Sequence, residues 1–180
     1  PAVGDLDGDG RAEIVLGLAS GGGGWIEVLQ SSAGDHNHGS WQQVNWPTYN
    51  ASNGTTWPAV GDIDGDGRAE IVIGLGQGSW GWVEFLDDKG ANYAHMKWLR
   101  IPWDAYDSAR GEIHPAVGNL DADSRAEIVF GLGRYQGEGG WLFAIDDATS
   151  GYATLGWFQI AWNAFVQDGG ETFPAAGRPR

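Results

Sequence analysis

The segment from Pro1 to Leu18, PAVGDLDGDGRAEIVLGL, returns almost unchanged at Pro58 and, with substitutions, at Pro115. The period is 57 residues, and a fourth copy opens at Pro174 and stops at Arg180. A fixed period of this length means one supersecondary unit used repeatedly, each copy burying its apolar face only by stacking on the next. The repeats divide the chain into units 1–57, 58–114 and 115–173, with 174–180 opening another.

Glycine supplies 31 of 180 residues and no apolar pattern of period 3.6 is sustained, so long helices are excluded. Strand signals recur instead. Ala2-Val3 leads into an acidic loop, and Ile14 to Leu16 is a short apolar run suited to a strand covered on both faces. Trp25 to Leu29 follows the Gly-rich stretch 19–24, and Trp41 to Trp46 reads as a fourth strand. Its counterpart, Trp98 to Trp103, contains Pro102, which costs least on an edge strand. The pattern predicts an all-β chain in which each repeat is a four-stranded antiparallel propeller blade. Parallel β-rolls share the Gly/Asp richness but have a period near nine residues. Propellers have about four to eight blades, so three repeats predict ring closure by oligomerisation, a dimer of six blades being the simplest.

Nine of the eleven tryptophans keep the repeat: Trp25, Trp82 and Trp141; Trp41, Trp98 and Trp157; Trp46, Trp103 and Trp162. A residue required in every blade predicts packing between blades rather than ligand contact. Trp57 and Trp80 break the register. Trp57 stands where later copies have His114 and Phe173, and Trp80 stands where the first has Gly23.

The net charge is −14, which argues against binding nucleic-acid phosphates. Eleven of the 24 carboxylates fall in the three repeated loops. Like charges spaced this closely repel unless a cation lies between them. Asp5, Asp7, Asp9 and Glu13 supply side-chain oxygens at loop positions 1, 3, 5 and 9, and Arg11 offers its carbonyl at position 7. The second copy is Asp62, Asp64, Asp66, Arg68 (carbonyl) and Glu70. Hard oxygens in a flexible ring predict Ca²⁺. An EF-hand is excluded because position 12 is Leu16, Ile73 or Phe130, inside a strand, rather than a bidentate glutamate. The third copy is Asn119, Asp121, Asp123, Arg125 and Glu127, with Ala122 and Ser124 replacing two glycines, and weaker binding is expected there.

The motif V-G-D-[LI]-D-G-D-G-R-A-E-I-V-[LI]-G-L at 3–18 and 60–75 resembles the FG-GAP/VCBS-type repeat, the blade of integrin α-chain propellers. That resemblance implies Ca²⁺ held by the matching carboxylates. The repeat length, the Gly-rich loop before Gly-Trp and the Trp-rich outer strand look more narrowly like lectins of the Psathyrella velutina type, propellers that bind N-acetylglucosamine between blades.

In an up-and-down blade the Gly-rich loops lie at the end opposite the acidic loops. There Gly23, Tyr49, Asn53, Trp57, Trp80, Tyr106, Glu112 and His114 supply the mixture of hydrogen-bonding groups and aromatic faces that sugars need. His38 and His95 hold equivalent places and read as structural. No thiol, phosphate loop or Ser/His/Asp arrangement stands out, so the chain is expected not to be an enzyme. The expected function is a calcium-stabilised, multivalent lectin for N-acetylglucosamine-type glycans. The alternatives are an adhesion or scaffold propeller binding proteins, or a designed or truncated propeller without a ligand. An extracellular location, or an engineered origin, goes with these readings. No apolar run approaches the roughly 18 residues of a membrane span.

Overall fold

A computed structural model describes residues 1–32, 35–121 and 123–177. In chain order the elements are β1 (Ala2–Gly4), β2 (Glu13–Gly17), β3 (Trp25–Ser32), β4 (Asp35–Gln43) and α1 (Pro47–Ser52). The second unit has β5 (Thr56–Gly61), β6 (Glu70–Leu75), β7 (Trp82–Leu86), β8 (His95–Arg100) and α2 (Asp104–Ala109). The third has β9 (Ile113–Gly118), β10 (Glu127–Leu132), β11 (Trp141–Ile145), β12 (Thr154–Gln159) and α3 (Asn163–Gln167). The strands form three four-stranded sheets, β1-β2-β3-β4, β5-β6-β7-β8 and β9-β10-β11-β12, each an antiparallel meander. These are propeller blades. Among the described residues no helix is long and apolar enough to cross a membrane.

Two features differ from the sequence expectation. The links between blades are not plain loops but carry one short helix each. Pro47 opens α1, where its fixed φ suits the first helical turn and its missing N–H costs nothing. Five or six residues are too few to show a helical period. The outer strands also begin and end earlier than expected. β4 stops at Gln43 and β8 at Arg100, which leaves Pro102 outside the ladder it could not donate to.

Neighbouring blades bury each other's inner strands. In the second blade every residue of β6 is buried, whereas β2, with the same pattern but one blade face open, alternates. Glycine makes the approach possible: a Cβ on Gly74 would lie 2.2 Å from the Ile113 carbonyl oxygen of the next blade. The tryptophans in register mostly pack blade to blade. Trp46 meets Trp98 edge to face at 6.1 Å, and Trp103 meets Trp157 at 5.9 Å. Residues 174–177 continue this stacking, with Ala176 Cβ 2.8 Å from where a Gly118 Cβ would be.

The acidic loops are part of the blade contacts. The Ala69 N–H donates to the Asp5 carbonyl at 2.8 Å and the Lys89 N–H to the Leu6 carbonyl at 3.0 Å. One blade on, Ala126 donates to Asp62 at 2.8 Å and Ala148 to Ile63 at 2.9 Å. Each of the first two loops is therefore fixed by the blade that follows it.

Candidate functional site

The first two acidic loops curl around their leading aspartate. Asp5 Oδ1 accepts the Gly8 N–H at 2.7 Å and its Oδ2 the Gly10 N–H at 2.8 Å. Asp62 does the same with Gly65 at 2.7 Å and Gly67 at 3.1 Å. Gly8 and Gly10 hold φ of 77° and 84°, and Gly65 and Gly67 hold 85° and 92°, a conformation glycine takes without penalty. Asp9 and Asp66 each accept the N–H of the arginine two residues on, Arg11 and Arg68, at 2.8 Å. Ligand oxygens of Asp5, Asp7 and Glu13, and of Asp62, Asp64 and Asp66, lie within 4.8 Å of one another.

The second loop fits a cation best. Glu70 is buried, its Oε2 accepts the Ile63 N–H at 2.7 Å, and its Oε1 is buried without a hydrogen-bond partner. Burial, with Asp64 and Asp62 adding to it, pushes this carboxyl up to about 8. A hard divalent ion would satisfy the orphaned oxygen and reverse that shift. Two further oxygen donors escaped the sequence reading. Asp87 groups with Asp64 and Glu70, and buried Asp88 groups with Asp66 and Glu70. They sit after β7, outside the loop motif, where the first repeat has Gln30 and Ser31, so motif spacing carried no sign of them.

The third loop closes differently. The Asn119 side-chain amide donates to the Asp123 carbonyl, and Asp123 accepts the Arg125 N–H at 2.6 Å. Asp121 accepts the Asp123 N–H at 3.1 Å. Glu127 Oε2 accepts the Leu120 N–H, while its Oε1 is buried without a hydrogen-bond partner, as in Glu70. Ala122 lies outside the described residues.

The residues expected to bind sugar fall into four groups. Tyr49 and Tyr106 are buried and present nothing to a ligand: each hydroxyl donates to a backbone carbonyl, Thr55 or Glu112, and accepts the N–H of Gly76 or Gly133 at 2.7 Å. Their role is to tie each helix to the next blade's Gly-rich loop. Asn53 is likewise committed, donating to the Gln77 carbonyl at 2.7 Å and accepting from Thr55. Gly23 lines a cleft of ≈ 450 Å³ with Gln43, Asn45, Pro47 and Asn50.

Trp57, Glu112 and His114 do come together, at the start of the strands β5 and β9. The Trp57 ring meets His114 edge to face at 4.9 Å, and His114 Nε2 is 3.4 Å from Glu112 Oε1. Trp80 stands apart on its own loop. It is 57% exposed at φ 58°, a left-handed conformation that Gly23 shares at 64°. The Arg100 guanidinium donates to the Trp80 carbonyl at 3.3 Å and pairs with Asp104 and Asp107 at 2.9 Å each. The exposed indole thus stands on a loop whose backbone is held by an Arg–Asp network.

The FG-GAP-like repeat model matches residues 5–73, the first blade and the start of the second. A comparison with curated protein sequences finds no match. Among solved structures the chain is similar to the rhamnogalacturonan lyase PL11 of Bacillus licheniformis, at 20% identity and a TM-score of 0.59, covering 91% of this chain and 35% of that one. It is also similar to the exotype rhamnogalacturonan lyase YesX (19%, TM-score 0.58, 87% and 32%) and to the rhamnogalacturonan lyase YesW (16%, TM-score 0.58, 91% and 35%). The chain thus spans roughly a third of the length of these neighbours. At such identities the likeness shows the fold.

Two expectations change with these comparisons. The exclusion of enzyme activity is corrected: the neighbours that share this arrangement of blades are lyases, so the lack of a recognisable catalytic motif does not argue against catalysis. The narrower resemblance to Psathyrella velutina-type lectins finds no support in the family model or in these neighbours.

Proposed function

We propose that the chain is a calcium-stabilised, carbohydrate-binding propeller segment that engages glycans at the end of the blades opposite the acidic loops. The observation that carries this reading is Trp80. A bulky residue at φ 58° is strained, and strain at an exposed aromatic is retained where it contributes to a contact. Its indole offers a face for sugar C–H surface, and Arg100 and Asp104 offer groups for hydroxyls. Likeness to carbohydrate-active lyases supports the ligand class. Calcium enters through the acidic loops, at the other end, and acts on stability rather than on sugar contact. N-acetylglucosamine-type glycans are the first candidates, and rhamnogalacturonan the second on the strength of the neighbours. An extracellular setting goes with this reading.

Ring closure is part of the proposal. Trp25 and Trp41 of the first blade are 39% and 45% exposed, and Trp162 is 65% exposed. Within the chain the counterparts of Trp162 pack on the counterparts of Trp41. A second copy placed head to tail, its Pro1–Gly4 taking the place of residues 174–177, would repeat that contact and give six blades with several equivalent sites, adding avidity to weak individual sites. Light scattering showing a monomer would remove the dimer.

The functional test is a glycan array carrying N-acetylglucosamine-terminated glycans and rhamnogalacturonan, probed with wild type and Trp80→Ala. Binding lost on Trp80→Ala with the melting temperature retained supports the site. An array without hits, or hits unaffected by Trp80→Ala, overturns it.

A further inference from the structure

We propose that Glu112, His114 and Glu171 form a binding site for a single divalent transition-metal ion of the zinc class, at the start of β9 and distinct from the acidic loops. The proposal stands apart from the carbohydrate reading, since neither the aromatic face at Trp80 nor any sugar is needed for it.

The three residues belong to two equivalent places in the repeat. Glu112 precedes His114 by two residues, and Glu171 precedes Phe173 by two. The first repeat has Thr55 and Trp57 there. The metal donors therefore exist only where the second and third blades end, and the repeat as a fold element does not require them.

His114 is oriented for ligation. Its ring is 4% exposed, stacked on Phe173 at 4.2 Å and edged by Trp57. Its Nδ1 lies 2.9 Å from the Thr172 carbonyl oxygen, which can only accept, so Nδ1 carries the proton. Nε2 is then the ring atom left facing the carboxylates: it donates to Glu112 while protonated and is the nitrogen that would ligate an ion on losing that proton, the arrangement usual for a metal-bound histidine. Nε2 is aimed between Glu112 Oε1 and Glu171 Oε1, 3.4 Å from each, and all three atoms lie within 4.8 Å of one another.

The distances favour a bridging ion over a direct ion pair. A charge-assisted N–H···O⁻ contact closes to about 2.7–2.9 Å. Two tetrahedral ligands on bonds of about 2.0–2.1 Å sit about 3.4 Å apart. One imidazole nitrogen with two carboxylate oxygens suits zinc and its neighbours rather than calcium, and three protein ligands leave a fourth position for water. The carboxylates are 26% and 30% exposed, which leaves a path for entry.

The test is calorimetric titration of the folded chain with Zn²⁺ in buffer saturated with Ca²⁺, together with Co²⁺ as a visible-absorption probe. Wild type should take up one ion per chain at this site, with a Co²⁺ spectrum of tetrahedral type that excess Ca²⁺ does not erase. His114→Ala should abolish that uptake. Because His114 is packed between aromatic rings, Glu171→Gln provides the deciding variant: it keeps the side-chain shape and should weaken binding at least tenfold and alter the Co²⁺ spectrum. Zinc affinity and Co²⁺ spectrum unchanged in Glu171→Gln would overturn the site, as would uptake that disappears only on changing His36 and His38, which stand two residues apart on exposed β4.

Discussion

The first and second acidic loops differ by one residue, Leu6 against Ile63, yet their electrostatics are opposite in sense. In the first, the Lys89 ammonium of the following blade reaches Asp7 Oδ2 at 2.9 Å and holds that carboxyl below its ordinary value. In the second, the equivalent place is Ala148, which contributes only its backbone N–H. There Asp64 is raised, by burial first and then by Asp66, Asp62 and Asp87. The glutamates diverge too. Glu13 has both oxygens engaged, with the N–H groups of Leu6 at 2.9 Å and Ser31 at 3.2 Å, whereas Glu70 keeps one buried oxygen without a partner. An identical carboxylate motif thus has two electrostatic environments, because the balancing groups come from the next blade and from the end of the third strand. The second loop should depend on calcium more than the first.

The largest expected effect follows directly. An ion held at 100 times its Kd adds about 2.7 kcal/mol to stability, roughly 5–10 °C in a chain of this size. Scanning calorimetry should show the melting temperature falling in chelator and recovering with Ca²⁺. Asp64→Ala should remove most of the recovery and Asp7→Ala a smaller share. Equal losses, or a larger one for Asp7→Ala, would break the comparison between the loops.

The next effect concerns the helices of the same two blades. Asn50 in α1 donates to the Val44 carbonyl at 2.7 Å. Its counterpart in α2 is Asp107, buried and pushed up to about 6 by loss of solvent, despite the Arg100 guanidinium at 2.9 Å. A carboxyl raised in the folded state contributes its stability fully below its unfolded value of about 4. That contribution is lost as pH rises through about 6. Asp107→Asn should flatten the decline in melting temperature between about pH 4 and 6 and add about 1–2 kcal/mol at pH 7. A slope identical to wild type would show that Arg100 already compensates the charge.

A smaller effect isolates the lysine. Lys89→Ala makes the first loop resemble the second, so its calcium affinity should rise about tenfold, or about 1.4 kcal/mol. Stability without calcium should change by less than about 1 kcal/mol, because the ammonium is largely exposed. Calorimetric titration decides it. An unchanged affinity would mean that the orphaned oxygen of Glu70, rather than Lys89, separates the loops.

The fold was readable because a period repeats its own signals. Three copies of one strand pattern reveal a blade even when each strand is only five or six residues long. The acidic loops were readable for the same reason, since the spacing of their carboxylates repeats with the blade. What the sequence concealed lies outside any single repeat. Asp87 and Asp88 reach the second loop from the end of β7, and Lys89 reaches the first loop across a blade boundary. Tyr49 and Tyr106 looked like ligand aromatics, but a phenol beside a Gly-rich loop is equally suited to a buried tie between backbone groups, and pattern alone does not separate the two. The pairing of His114 with Glu171 spans a whole repeat, so no local motif announces it.

The smallest expected effect tests the site where the first two blades differ most on the surface. Gly23 and Trp80 share a left-handed backbone, which costs a non-glycine residue on the order of 1 kcal/mol. Trp80→Gly would restore the first blade's residue and relieve that strain, but it would also give the unfolded chain more freedom. The two terms oppose, so the melting temperature should move by no more than about 2 °C. Glycan binding should nevertheless fall to background, because the exposed indole is gone while Arg100, Asp104 and the acidic loops at the far end are untouched. A large loss of stability would mean that the indole is a packing element. Retained glycan binding would transfer the sugar site to the cleft beside Gly23 and Asn50.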